Sequence, residues 1–326
     1  MDFPDLRLRR LRQTPQLRRL VRETELNAAD LVMPFFVRPG RSVRLEISSL
    51  PGQFQYSIDT LLEAVGVAVQ AGIGAVILFG IPDKKDSRGS GAYADNGIVQ
   101  EAARRIKKNY PALCLIADLC LCEYTDHGHC GILKGDAILN DETLKLYAKT
   151  AVSQAKAGFD VIAPSGMMDG QISAIRVALD KAGFSMTPIL AYAAKTASAF
   201  YGPFRDAVQS APKSGDRLSH QMDPSNFREA MREIALDASE GADMLMIKPA
   251  LPCLDIIRET RNRHDLPIAA YSVSGEYAMI MAASRAGWLD EKKATLELLT
   301  SIKRAGADFI ITYHALSAAQ WLKEKE

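Results

Sequence analysis

An α/β chain closed into a TIM-type (β/α)₈ barrel and preceded by an N-terminal arm is what this sequence predicts, and three observations predict it. Eight short apolar runs recur along the chain, amphipathic helical stretches separate them, and a glycine-x-aspartate turn precedes three of the runs. Strands alternating with helices in that number imply a sheet that closes on itself. An open doubly wound sheet is the alternative. It usually carries G-x-G-x-x-G after its first strand, and no such string stands there.

The runs are Leu31–Val37, Ala75–Gly80, Leu113–Cys120, Val161–Ser165, Pro188–Ala193, Met244–Pro249, Pro267–Val273 and Phe309–Tyr313. Most are unbroken rather than alternating, as expected of parallel strands buried on both faces. From Ser225 to Ser239 the period changes. Phe227, Ala230, Met231, Ile234, Ala235 and Ala238 follow i, i+3, i+4, i+7 spacing, with Ser225 as the expected N-cap. Gly241 follows as the C′ residue, where glycine enters the left-handed conformation without steric cost. Gly158-Phe-Asp-Val-Ile, Gly241-Ala-Asp-Met-Leu and Gly306-Ala-Asp-Phe-Ile are copies of one helix end, turn and strand; Gly72-Ile-Gly-Ala-Val-Ile is a looser fourth.

Residues 1–30 form the arm and 31–326 the barrel. The run Arg7 to Arg22 is basic, but the whole chain carries a net charge of only +1. It reads as an extended arm that packs on a neighbouring subunit through Leu8, Leu11, Leu17, Leu20 and Val21, not as a nucleic-acid surface. No apolar run approaches the ~20 residues of a membrane span, and Met1-Asp-Phe-Pro opens no apolar signal core. A cytoplasmic protein with no membrane or nucleic-acid partner is expected.

Three loops are long: 81–96, 121–140 and about 196–224. Each follows a strand and so belongs at the C-terminal mouth, where barrel enzymes place their chemistry. The third, with Gly202, Pro203, Gly215 and several charges, reads as an active-site lid.

Of five cysteines, Cys120, Cys122 and Cys130 fall within eleven residues, which points to a metal rather than a disulfide framework. Thiolates suit Zn²⁺, and three of them leave a tetrahedral ion one open position, the arrangement of a catalytic site. Two other readings stand beside it: a structural zinc completed by His127 or His129, and reduced thiols without metal. Cys114 and Cys253 read as ordinary core or loop residues.

Lys195 follows the fifth strand and Lys248 lies inside the sixth, each behind apolar residues. A single such lysine is more often a snorkelling surface residue. Two at the same end of neighbouring strands, about 4.8 Å apart, would depress each other's pKa and supply neutral amines that attack a carbonyl. Arg205 and Arg217 bracket the lid and are candidate carboxylate clamps. Asp118, Ser165, Ser274 and Tyr313 close strands three, four, seven and eight, so strands three to eight all present a reactive or polar group at one rim.

At this point the chain resembles the porphobilinogen synthase (5-aminolevulinate dehydratase) family. The resemblance rests on Asp118-Leu-Cys-Leu-Cys-Glu-Tyr-Thr-Asp-His-Gly-His-Cys-Gly131, on Lys195 with Phe200-Tyr-Gly-Pro-Phe-Arg-Asp-Ala207, on Gly215-Asp-Arg217 with Gln221-Met-Asp-Pro224, on Met246-Ile-Lys-Pro-Ala250, and on Tyr271-Ser-Val-Ser-Gly-Glu-Tyr-Ala-Met279. It implies a hydro-lyase of heme biosynthesis that condenses two 5-aminolevulinates into porphobilinogen. Lys248 would form the Schiff base with the first, P-side, substrate and Lys195 with the second, A-side, one. Ser274 and Tyr313 match the binders of the P-side carboxylate, and Arg205, Arg217 and Gln221 those of the A-side carboxylate. Asp118 and Ser165 would lie near the A-side amine. Cys120, Cys122 and Cys130 match zinc ligands, Glu233 resembles the site of an allosteric Mg²⁺, and the arm implies a homo-octamer. Gly166 and Met167 stand where an acidic or small residue is frequent, and His314 where an aromatic is usual. The rival functions are a class I aldolase, which needs one reactive lysine and no zinc, and a zinc-stabilised scaffold without catalysis.

Overall fold

Unbroken apolar runs of four to seven residues are too short for stable helices, and they form strands with two buried faces. The computed structural model describes residues 2–324. Its barrel strands are β1 (Leu31–Val37), β2 (Ala75–Gly80), β3 (Cys114–Leu119), β4 (Val161–Pro164), β5 (Leu190–Lys195), β6 (Met244–Lys248), β7 (Ile268–Ser272) and β8 (Phe309–Thr312). They pair in parallel in the order β4-β3-β2-β1-β8-β7-β6-β5. A bridge between Ile162 and Ile189 joins the two ends, so the chain is a nearly closed (β/α)₈ barrel. Around it lie α1 (Ile58–Gln70), α2 (Ile98–Asn109), α3 (Asn140–Ala157), α4 (Gln171–Lys181), α5 (Phe227–Ser239), α6 (Leu254–Arg263), α7 (Ser274–Arg285), α8 (Glu291–Ala305) and α9 (Ala315–Lys323).

Alternate residues of each strand enter two different cores. Phe36, Phe79, Ile116, Tyr192, Met246 and Tyr271 fill the barrel interior. Met33, Leu78, Leu115, Ile162, Ile247 and Ala270 pack outward against the helices. Both destinations are dry, which is why the sequence runs show no polar alternation.

One irregularity positions the site. Leu245 pairs with Ala191 and Ile247 with Ala194, so β5 has one residue more than β6 over that stretch, a β-bulge. Leu190 and Tyr192 point inward, Ala191, Ala193 and Ala194 point outward, and the bulge restores the inward direction for Lys195, opposite Lys248.

Three expectations need correction and one an addition. Lys195 is the last residue of β5 rather than a residue beyond it. Helix α5 begins at Phe227 behind Asn226, and Ser225 is not the cap; its N–H is turned to Asp223 Oδ1 at 2.8 Å. The arm carries two helical turns that the sequence reading did not assign: Leu8–Arg12 is a 3₁₀ turn and Pro15–Leu20 a short helix capped by Thr14, with Leu8, Leu11, Leu20 and Val21 exposed. Ser165, Ser274 and Tyr313 lie just past their strands, Ser274 already in the first turn of α7. Among the described residues, no helix is long and apolar enough to cross a membrane.

Candidate active site

The mouth of the barrel is built by the ends of β3 to β8 and the loops that follow them. Lys195 and Lys248 are register partners across β5 and β6, and each is only 5% exposed. Lys248 Nζ lies 4.3 Å from the ring centre of Tyr271, 5.2 Å from Tyr192, and 5.3 Å from Tyr201 and Phe204. Lys195 Nζ lies 5.7 Å from Tyr192 and donates to the carbonyl of Ser165. Burial first, and the neighbouring Lys195 second, push the Lys248 amine far below the ordinary lysine range, to about 7. The Asp118 carboxyl is held well above its ordinary range by burial and by Glu123, against the pull of the two lysines. Its Oδ1 accepts from Tyr192 at 3.1 Å. The arrangement offers a neutral amine in an aromatic box, a second amine beside it and a carboxyl able to exchange a proton.

Cys120, Cys122 and Cys130 are brought together: their sulfurs lie within 4.8 Å of one another and all three residues are buried. Cys120 and Cys122 Sγ are 3.3 Å apart. Neither histidine belongs to this group. His129 Nε2 faces the carbonyl of Ser214 at 2.9 Å, and His127 Nδ1 accepts from the N–H of His129 at 3.1 Å. Three soft donors in a dry pocket fit a thiophilic cation with one position open.

Segment 196–224 lies across the mouth and includes a short helix, Gly202–Ala207. Lys85 Nζ donates to the carbonyls of Val208 and Gln209 at 3.2 and 2.7 Å, and Gln55 Nε2 to that of Ala207 at 2.7 Å. Arg217 is 5% exposed and its Nη2 donates to the carbonyls of Gly128 and Ser210 at 2.8 and 2.7 Å. Its Nε, the Nε of Arg205 and both amide atoms of the buried Gln221 have no partner among the described residues. Gln221 is tied to the lysines through Met222, whose N–H donates to Lys195 O at 3.1 Å. Unspent donors clustered on one rim are suited to an anionic ligand.

Ser274 and Tyr313 face the other half of the mouth. Ser274 Oγ donates to Phe200 O and accepts from Phe204 N, both at 3.1 Å, and Tyr313 Oη is 3.2 Å from Tyr271 Oη. A Cβ on Gly275 would stand 2.6 Å from Phe200 O, so only glycine admits that close approach. Glu233 lines a cavity with Asp169, Gln221 and Met222. It sits half-buried on α5, and burial, then Asp169 and Glu229, raise its carboxyl. Sequence reasoning missed Tyr192, Tyr201, Phe204 and Tyr271 around Lys248, and Glu123 beside the cysteines. Tyr271 and Tyr192 lie on the neighbouring strands and meet Lys248 only through register, and Tyr201 and Phe204 arrive from a loop with no periodic signal.

Comparison with known proteins agrees along the chain. The family model for delta-aminolevulinic acid dehydratase matches residues 5–321. The chain is 57% identical over 325 residues to the delta-aminolevulinic acid dehydratase of Halalkalibacterium halodurans, covering 100% of this chain and 99% of that one. It is 58% identical over 324 residues to that of Synechococcus elongatus, covering 98% and 99%. The crystal structure of Toxoplasma gondii delta-aminolevulinic acid dehydratase (porphobilinogen synthase), solved with its reaction product porphobilinogen, is similar at a TM-score of 0.97 and 44% identity, covering 98% of this chain and 92% of that one.

Proposed function

The chain belongs to the delta-aminolevulinic acid dehydratase family, and from that premise we propose a porphobilinogen synthase in which Lys248 and Lys195 carry two 5-aminolevulinates as imines. The observation that carries the lysine assignment is their pairing across β5 and β6 in a buried aromatic box. The neutral amine of Lys248 attacks the ketone of the P-side substrate. The carbinolamine loses water, and the iminium acidifies the adjacent carbon. Lys195 does the same for the A-side substrate. Condensation then joins the two: the deprotonated A-side carbon bonds to the P-side iminium carbon, from which the Lys248 amine leaves by elimination. The P-side amino group displaces Lys195 from the A-side imine by exchange, and the two waters lost are those released as the imines formed. Asp118, its proton held by burial, exchanges it with the A-side intermediate, with Ser165 beside it. Ser274 and Tyr313 hold the P-side carboxylate; Arg205, Arg217 and Gln221 hold the A-side one, a role supported by their unspent hydrogen-bonding atoms. Holding both substrates in one pocket offsets up to about 7–11 kcal/mol of encounter entropy.

Cys120, Cys122 and Cys130 would hold the zinc ion, which when bound supplies Lewis acidity and a bound water of lowered pKa. Glu233, with Asp169 near it, would take an allosteric Mg²⁺. Segment 196–224 acts as the lid that keeps water from the imines, and the exposed leucines of the arm dock on a neighbouring subunit in a homo-octamer. The enzyme is a cytoplasmic lyase of heme biosynthesis. An aldolase would use one lysine and leave the cysteine group without a role; an inert scaffold would form no imine.

The test is borohydride reduction in the presence of 5-aminolevulinate, followed by peptide mapping. A reduced adduct on Lys248 is expected. No adduct on either lysine, in protein that forms pyrrole, would falsify the imine assignment.

A further inference from the structure

We propose that Tyr147 is a positioning residue of the three-cysteine site, admitted to its place by Gly166. The inference rests on the metal reading of that site. Thr143 and Tyr147 lie four residues apart on α3, hence on one helix face, and both are fully buried. Each grips the chain where it returns from the cysteine loop. Thr143 Oγ1 accepts from the N–H of Ile132 at 3.0 Å, and Tyr147 Oη donates to the carbonyl of Cys130 at 2.8 Å. Residues 130–132 are thereby fixed to a rigid helix at two points. Cys120 and Cys122 need no such help, because they leave directly from the end of β3.

The phenol occupies space that only Gly166 leaves free. A Cβ at Gly166 would stand 1.7 Å from Tyr147 Oη and 2.6 Å from its Cζ, so any side chain there must evict the ring. Gly166 has no left-handed backbone, so room rather than conformation is what the glycine provides. Gly166 also follows Ser165, whose carbonyl accepts from Lys195 Nζ. One aromatic ring therefore fills the gap between the third cysteine and the strand end that holds an active-site lysine. Fixing the backbone of Cys130 before metal arrives reduces the ordering that three thiolates must undergo around one ion, which is how outer groups tune metal affinity.

The experiment measures Zn²⁺ affinity of the full chain by competition with a chromophoric chelator, alongside thermal melting of the metal-free protein. Tyr147→Phe keeps the ring and removes the donor. It should bind Zn²⁺ about 10–100-fold more weakly, with metal-free melting little changed and the thiolate-to-metal band of the Co²⁺ form altered. Gly166→Ala should show a similar loss of affinity by displacing the phenol. Gly166→Ala combined with Tyr147→Leu should recover melting temperature but not affinity. Affinity in Tyr147→Phe within about twofold of the parent overturns the proposal, as does a loss that only tracks a fall in metal-free melting. If the parent binds no Zn²⁺ at all, the metal reading of the cysteines falls first and this proposal with it.

Discussion

The two halves of the barrel mouth solve different problems. Around Lys248 the wall is aromatic and its polar groups already serve one another: Tyr271 with Tyr313, Ser274 with Phe200 and Phe204. Around Arg205, Arg217 and Gln221 the wall is polar, and several buried atoms have no partner. The first half works by withholding water, so that an amine is cheaper neutral than charged. Under the proposed function the second would work by withholding partners, so that a carboxylate would find donors waiting in a dry site. Both halves would then bind a carboxylate, the dry one through Ser274 and Tyr313 and the polar one through Arg205, Arg217 and Gln221, whereas the amine of Lys248 belongs to the dry half alone; the bulge in β5 turns Lys195 inward beside it.

The sharpest way to break this division is to remove the amine of the dry half. Lys248→Met should lower pyrrole formation by on the order of 10⁴-fold or more, the scale of losing a nucleophile, while substrate binding by calorimetry persists. Retention of a tenth of the parent rate would dissolve the distinction. Next in size is the polar half. Arg217→Leu removes a charge-assisted contact of about 1.5–3 kcal/mol, so kcat/KM should fall about 10–100-fold, mostly through KM; a loss confined to kcat would assign Arg217 to the chemical step instead.

The smallest effect concerns pH. The Lys248 amine attacks only when neutral, so trapping at Lys248 should fall as pH drops through about 7. Lys195 is the second cause of that depression after burial. Lys195→Met therefore removes a like charge, and the acidic limb should move upward, toward the ordinary lysine range, when trapping rate on Lys248 is followed against pH. A limb that stays in place would mean that desolvation alone sets this amine.

Much of this was legible in one dimension. The eight apolar runs coincide with the eight strands to within a few residues, because burial on both faces leaves a continuous apolar signature distinct from the spaced pattern of the surrounding helices. Cys120-x-Cys122 and Cys130 announced, through their chemistry alone, a thiol cluster that could hold a metal ion. Spacing could not say whether His127 or His129 joins it, because a ring's direction depends on what packs against it; His129 turns to Ser214, 85 positions away in the sequence.

What the sequence determined by itself was therefore the fold class, the rim on which the candidate groups stand and the residue types available there. Tertiary structure alone decided which of them meet. Strand parity counted from Tyr192 would send Lys195 outward, and only the extra residue accommodated against β6 turns it inward beside Lys248. Likewise Gly166 is one glycine among twenty-two until Tyr147, from a separate helix, fills the space it leaves. The physical reason is common to both: periodicity is a local property that the chain carries along its length, whereas register and steric vacancy exist only between segments distant in sequence once they have packed.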